Sequence, residues 1–430
     1  MAKIIINGPA KLKGSVKIEG SKNAALPIIS ATLLTRGKTT LSNVPEIEDV
    51  RNMLRIIEEL GGTVEIARNN VVTIDTTKIN GREPNRILVR RMRASILLVG
   101  PLLARNGKVN LPSPGGCFIG NRPLDAHFKA LSKMGATVSE NNDTYSIKAQ
   151  KLIGTEITLN EMSVTATENI IMAAVLAEGS TTIKLAAVES HVQDLCRFLN
   201  KMGAKIEGIG THELFIRGVK ELLPINYRII SDEIEAGTYI IAAAATNGEV
   251  VIENIEPEKM NYSFLQKLKE ANVNFKTDKN SITIEKSSHL RPVKIWTAPA
   301  PHFPTDLQAP FAILATLANG SSYIHESMYE GRLNYLKELK KMGANATIAD
   351  QHRAIIVGPT TLYGKKITTL DLRAGATLII AALIAEGEST ILNAEIIDRG
   401  YQNIVEKLTS LGAKITRLEE KKGAASGTTC

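Results

Sequence analysis

The hydrophobic pattern of the 430-residue chain is dominated by short helices that are apolar on nearly every side, each ending at a glycine and followed by a β-branched strand. The glycines that close them are Gly37, Gly107, Gly179, Gly248, Gly320 and Gly387, at intervals of 70, 72, 69, 72 and 67 residues. A second pattern keeps the same step: an amphipathic helix, then Met or Leu, Gly and a strand. It runs through Gly61, Gly135, Gly203, Gly343 and Gly412, with a degenerate copy, Lys-Glu-Ala-Asn-Val, beginning at Lys269. A glycine after the last helical turn adopts the left-handed conformation without a Cβ clash, so both patterns read as helix C-caps.

Two interleaved patterns with one period of about 70 predict six copies of a unit of two helices and several short strands. Within each unit the first helix must be buried all round, as at residues 95–103, 169–177 and 376–385. The second carries Lys and Glu on one face and belongs at the surface. Six buried helices do not fit around one core at this length, which predicts two cores of three units each.

The residues at the starts of the inner helices are polar: Ser21, Lys22 and Asn23; Arg90, Arg91 and Arg93; Ser163 and Thr165; Asp232, Glu233 and Glu235; Thr305, Asp306 and Gln308; Asp371 and Arg373. Taken singly, such groups read as caps or solvated helix ends. Taken together, three parallel helix starts per lobe would line a shared gap with Lys22, Arg93, Asp306 and Arg373. Lys22 and Arg93 oppose the local helix dipole, so an anion is expected to compensate them.

The other chemical focus is the loop from Leu111 to His127, which contains Pro112, Pro114, Gly115, Gly116 and Gly120. That composition excludes regular structure and puts Cys117 in an exposed loop, five residues from Arg122. A lone cysteine is ordinarily a buried, inert residue, and Cys196 reads that way. An exposed thiol beside cations is instead a candidate acid or nucleophile.

Composition narrows the field. Three cysteines without a CxxC pattern argue against a disulfide scaffold or a zinc site and for a reducing compartment. The apolar runs are too short to span a bilayer and the N-terminus does not read as a signal peptide, so a cytoplasmic location is expected. The net charge of +8 suits nucleic acid or anionic substrates. Aromatics make up only 4% and the repeated helices are apolar rather than basic, which disfavours a nucleic-acid clamp.

Several segments in order resemble the UDP-N-acetylglucosamine enolpyruvyl transferases of the EPSP synthase superfamily. They are Ser21-Lys22-Asn23-Ala-Ala-Leu-Pro27, Met92-Arg93-Ala-Ser95, Pro114-Gly-Gly-Cys117-Phe-Ile-Gly-Asn-Arg122-Pro, Phe303-Pro-Thr-Asp306-Leu-Gln308, Asp371-Leu-Arg373-Ala and Ile397-Asp-Arg399-Gly-Tyr401. The resemblance implies two inside-out α/β barrel domains, each of three βαβαββ units around buried helices. Its domain limits would be 22–230 and 1–21 plus 231–418, with 419–430 a flexible tail. It implies transfer of the enolpyruvyl group of phosphoenolpyruvate to the 3'-hydroxyl of UDP-N-acetylglucosamine, an early step of peptidoglycan precursor synthesis.

By the same resemblance Cys117 protonates C3 of phosphoenolpyruvate, and Asp306 is a candidate base, with Lys22 a third catalytic position. Lys22, Asn23, Arg122 and Arg399 would hold phosphoenolpyruvate. Arg93, Arg122, Pro123, Leu124, Asp125, Ala126, Ser163, Val164, Asp306 and Met328 would hold the nucleotide sugar. His127, Arg332, Asp371 and Arg373 would supply further cleft charges. No metal or organic cofactor is called for; the partners are the two small substrates, with no nucleic acid or membrane, and the oligomeric state is open. The chain departs from the family where Glu161 stands in place of a lysine and where Ala187-Val-Glu189-Ser-His191 replaces Ala-Arg-Glu-Pro-Glu. A related transferase with another uridine nucleotide, or a shikimate-type acceptor, is the alternative.

Overall fold

The computed structural model describes residues 2–116 and 119–419. Cys117, the expected acid, and Cys430 therefore lie outside the described residues, as does the tail after Glu419.

The described core residues fall into two clusters, one drawn from residues 24–229 and the other from residues 2–18 and 234–415. Each is built on three inner helices. In the first lobe, helix Lys22–Ala31 packs on the 3-10 segment Arg93–Leu98, and helix Val164–Ala174 packs on that segment and on helix Val99–Asn106. In the second lobe, helix Thr305–Leu317 packs on both Glu233–Ala245 and Leu372–Ile384, which also touch each other. Residues 373–383 of the last helix are buried without a break, as expected for a helix apolar on all sides. The second repeat is less regular than its pattern predicts. Its inner helix is split, with Arg93 opening a 3-10 segment and α-helical geometry starting only at Val99.

Amphipathic helices such as Glu48–Glu59, Ser190–Lys201 and Tyr335–Lys341 cover these bundles on the outside. Six small sheets complete the units among the described residues, five of four strands and one of three. Five contain one parallel pair, and the sheet Lys108–Pro112, Thr144–Lys148, Thr137–Asn141 is wholly antiparallel. Alternating burial along strands such as Gly320–Glu326 turns one face to the helices and the other to solvent.

Both ends of the chain belong to the second lobe. Strand Ala2–Gly8 lies between Gly387–Leu392 and Lys414–Glu419, with Ile4 opposite Ile391 and Arg417. Strand Lys13–Lys17 pairs in parallel with Glu249–Glu253. The chain then enters the first lobe at Ser21, and strand Asn226–Arg228 pairs with Lys38–Ser42 before it returns. These two crossings lie side by side, Gly20 bridging to Ser231 and Ser21 N–H donating to the Ile230 carbonyl, and bring helix starts of the two lobes together.

Candidate active site

Asp232 joins two of those helix starts. Its Oδ1 accepts from the N–H groups of Ile234 and Glu235 at 2.8 and 3.0 Å, capping the helix Glu233–Ala245. Its Oδ2 accepts from the N–H of Lys22 at 3.0 Å, so one carboxylate satisfies orphan donors in both lobes.

From that anchored start the Lys22 side chain runs to Asp49, with Nζ 2.8 Å from Oδ2. Arg399 of the second lobe reaches the same carboxylate, Nε to Oδ1 at 2.9 Å and Nη2 to Oδ2 at 3.2 Å. Asp49 is 2% exposed. Burial alone would raise its pKa, but Lys22 and Arg399 outweigh it and hold the carboxyl below its usual range. Sequence reasoning missed Asp49, because an acid in the first turn of the outer helix Glu48–Glu59 reads as ordinary dipole compensation.

Across the cleft Asp306 sits on the second position of its helix. Its Oδ1 accepts from Arg332 and its Oδ2 from Arg373 Nε at 3.1 Å. Burial opposes ionisation, yet Arg373, Arg332 and Lys22 together drive its pKa far below the carboxylate norm. That Lys22 acts on Asp306 sets the two lobes' charges side by side. Asp306 is thus ionised throughout the neutral range and, so paired, a weak base. Asp371 caps its helix through the N–H groups of Arg373 and Ala374 at 2.8 and 3.0 Å and lies 3.8 Å from Arg332. Arg373 packs over the Tyr401 ring at 5.2 Å, and the two side chains interact electrostatically as well.

Arg93 donates to the carbonyl oxygen of Arg122, and burial followed by the Arg122 charge lowers its pKa. Tyr329 lies in the field of Arg332, Arg122 and Asp306, so the arginines of both lobes share one electrostatic environment. Leu124 and Ala126 are buried under the start of helix Asp125–Lys133, whereas Pro123 and Asp125 are exposed. Ser163 precedes helix Val164–Ala174, with its N–H on the Glu161 carbonyl at 2.7 Å; Ser163, Val164, Met328 and Asn23 are half-buried.

The loop that carries Cys117 lies against the first lobe before the undescribed pair, at Gly115 and Gly116, and reaches the second lobe beyond it, at Ile119 and Asn121. Gly331 N–H donates to the Ile119 carbonyl at 2.9 Å, and Asn121 N–H donates to Glu330 at 3.2 Å. Gly116 needs its φ of +112°, and a Cβ there would stand 2.9 Å from the Arg93 nitrogen. Gly120 likewise leaves no room for a Cβ against Glu330. The glycines let this loop press against both walls.

One expectation is corrected. His127 is not a cleft charge: it is 2% exposed, with Nε2 3.1 Å from Thr165 Oγ1 and Nδ1 3.1 Å from Asn169 Nδ2. Burial, reinforced by Arg93, lowers its pKa to about 3, so the ring is neutral and structural. Cys196 is buried as expected, its thiol pushed up to about 12 chiefly by burial. His191 lies in the fields of Glu189, Asp232 and Asp306, but burial outweighs them and lowers its pKa.

A sequence profile of the family described as EPSP synthase (3-phosphoshikimate 1-carboxyvinyltransferase) matches residues 6–408. The chain is 45% identical over 419 residues to a UDP-N-acetylglucosamine 1-carboxyvinyltransferase of Clostridium botulinum, covering 97% of this chain and 100% of the relative. A Halothermothrix orenii protein of the same name is 44% identical over 419 residues, with the same coverage. Among solved structures, the enolpyruvyl transferase NikO from Streptomyces tendae superposes with a TM-score of 0.89 at 24% identity, covering 97% of this chain and 99% of that one. EPSP synthase from Acinetobacter baumannii gives 0.76 at 22% identity, with 97% and 100% covered. These two establish the shared fold of two α/β lobes. The chain belongs to the UDP-N-acetylglucosamine 1-carboxyvinyltransferase branch of the EPSP synthase family.

Proposed function

We propose that this protein transfers the enolpyruvyl group of phosphoenolpyruvate to the 3'-hydroxyl of UDP-N-acetylglucosamine and releases phosphate, supplying the peptidoglycan pathway. The observation that carries the reading is the gathering of Lys22, Arg332, Arg373 and Arg399 around Asp49 and Asp306 at the meeting of two lobes, with Arg93 and Arg122 acting on Tyr329 beside Arg332. Similarity to curated transferases along 97% of the chain supports the acceptor. The underlying division is residues 22–230 against 1–21 plus 231–418.

In the reaction the sugar hydroxyl oxygen bonds to C2 of phosphoenolpyruvate while C3 takes a proton, giving a tetrahedral intermediate that still carries phosphate. Breaking the C2–O bond to phosphate and removing a proton from C3 then restores the double bond in the product ether. Cys117 is the proposed acid at C3. Asp306 accepts the hydroxyl proton, its basicity rising as Arg332 or Arg373 shifts toward the substrate. Lys22, Asn23, Arg122 and Arg399 hold phosphoenolpyruvate and stabilise the leaving phosphate. Arg93, the segment from Arg122 to Ala126, Ser163, Val164 and Met328 hold the nucleotide sugar. Closure across Asp49 and Arg399 excludes water from the intermediate.

No helix among the described residues is long and apolar enough to cross a membrane. A cytoplasmic site of action fits the unpaired buried thiol of Cys196. The test is phosphate release from phosphoenolpyruvate with UDP-N-acetylglucosamine, UMP and shikimate 3-phosphate offered separately. Turnover with the first alone is expected; turnover with only another acceptor overturns the assignment.

A further inference from the structure

Along the connection between the lobes lies a groove of about 600 Å³, lined by residues of both. Arg197 and Lys201 enter from helix Ser190–Lys201, Arg228 from the strand leaving the first lobe, and Lys259 from the 3-10 turn Pro257–Lys259 of the second. The two acids in its lining are already engaged. Asp194 accepts from the Tyr227 hydroxyl at 2.6 Å and from the Ile230 N–H at 3.3 Å, and Glu256 pairs with Lys259 at 2.6 Å. Arg197 of one lobe and Lys259 of the other line the same groove, and both act on the Asp194 carboxyl. Four cations against two committed acids leave the lining net positive, and the volume suits a small metabolite.

The groove floor is the same connection that holds the start of helix Lys22–Ala31. Tyr227, Arg228, Ile229, Ile230 and Ser231 line it. The Ile230 carbonyl accepts from Ser21 N–H at 2.7 Å, and Asp232, one residue beyond the lining, accepts from Lys22 N–H at 3.0 Å. An occupant drawing the two cationic walls together would therefore bear directly on the backbone that seats Lys22.

From these contacts we infer that the groove is a second anion site, for a small polyphosphorylated metabolite, whose occupancy is coupled to the seating of Lys22. Two or more phosphoryl groups match cations spread over both walls better than a single one does. Lys22 responds because a ligand that binds one arrangement of the connection better than another shifts the population toward it.

The probe is inorganic pyrophosphate, added to the full chain with phosphoenolpyruvate at saturation so that the cleft is occupied. Hydrogen exchange at the amides of residues 226–232 should slow. In the double variant Arg197→Glu/Lys259→Glu, pyrophosphate affinity should fall about tenfold or more, while KM for phosphoenolpyruvate stays within about twofold. Should that variant fold poorly, Arg228→Gln at an exposed strand position should weaken pyrophosphate by about threefold or more. Unchanged pyrophosphate affinity in the variants, or protection confined to the cleft residues, overturns the inference. Turnover with UDP-N-acetylglucosamine bears only on the proposed activity, so the two readings fail independently.

Discussion

Arg399 of the second lobe and Asp49 of the first form a two-point ion pair, 2.9 and 3.2 Å, on a carboxylate that Lys22 also holds at 2.8 Å. Asp49 thus sets the spacing of two cations proposed to hold phosphoenolpyruvate. Its pKa lies below the ordinary 3.8, so the pair is complete above that pH and is lost only as pH falls through the lowered value. The Asp49→Asn variant keeps the shape and removes the charge. Its kcat/KM for phosphoenolpyruvate should drop about 10- to 100-fold, with the acceptor's KM nearly unchanged, in steady-state kinetics.

Asp306→Asn leaves Arg332 and Arg373, both buried, facing a neutral amide. Turnover should fall about 10²- to 10⁴-fold, as for loss of a general base. Uncompensated buried charge should also lower unfolding stability by about 3 kcal/mol, measured by denaturant titration. Unchanged turnover would remove Asp306 from the chemistry.

Cys117→Ser should abolish or sharply slow turnover and should remove inactivation by the epoxide fosfomycin. Mass spectrometry of the treated native chain should find the adduct on Cys117. Full activity in the variant would end its role as acid.

The neutral His127 makes stability depend on pH in a stated direction. Its folded pKa of about 3 lies under the ordinary 6.5, so in that window the unfolded chain binds the extra proton. Stability from this group is complete above 6.5 and declines as pH falls toward about 3, by up to about 1.4 kcal/mol per pH unit. His127→Gln should flatten that slope by about one proton. An identical slope in both proteins would show that the histidine titrates normally.

Glu161 is exposed beside the Ser163 start of an inner helix, on the side proposed for the nucleotide. Glu161→Lys should lower KM for UDP-N-acetylglucosamine about two- to fivefold, the scale of an exposed charge. No change would place Glu161 away from the diphosphate.

The repeat was legible because it rests on packing. A helix buried on all sides has few sequence solutions, and its closing glycine recurs at a fixed step. Lys22, Asp306 and Arg373 could be found because they lie on the opening turns of those helices. Asp49 could not, since its importance comes from a partner 350 residues away, while its local setting is that of any acid at a helix start. His127 was misplaced for the converse reason. Its neighbours in sequence border the cleft, but on helix Asp125–Lys133 its own side chain turns inward to Asn169. The split start at Arg93 was also hidden, because an apolar run does not distinguish a 3-10 segment from an α-helix.

Strand Ala2–Gly8, paired on both edges by strands that begin at Gly387 and Lys414, imposes an order on biosynthesis. The residues forming the 24–229 core emerge from the ribosome as one continuous stretch and can condense early. The opening strand has no partners until nearly the whole polypeptide exists. During translation it remains an uncommitted β-segment, and its capture is among the last steps that make the enzyme whole.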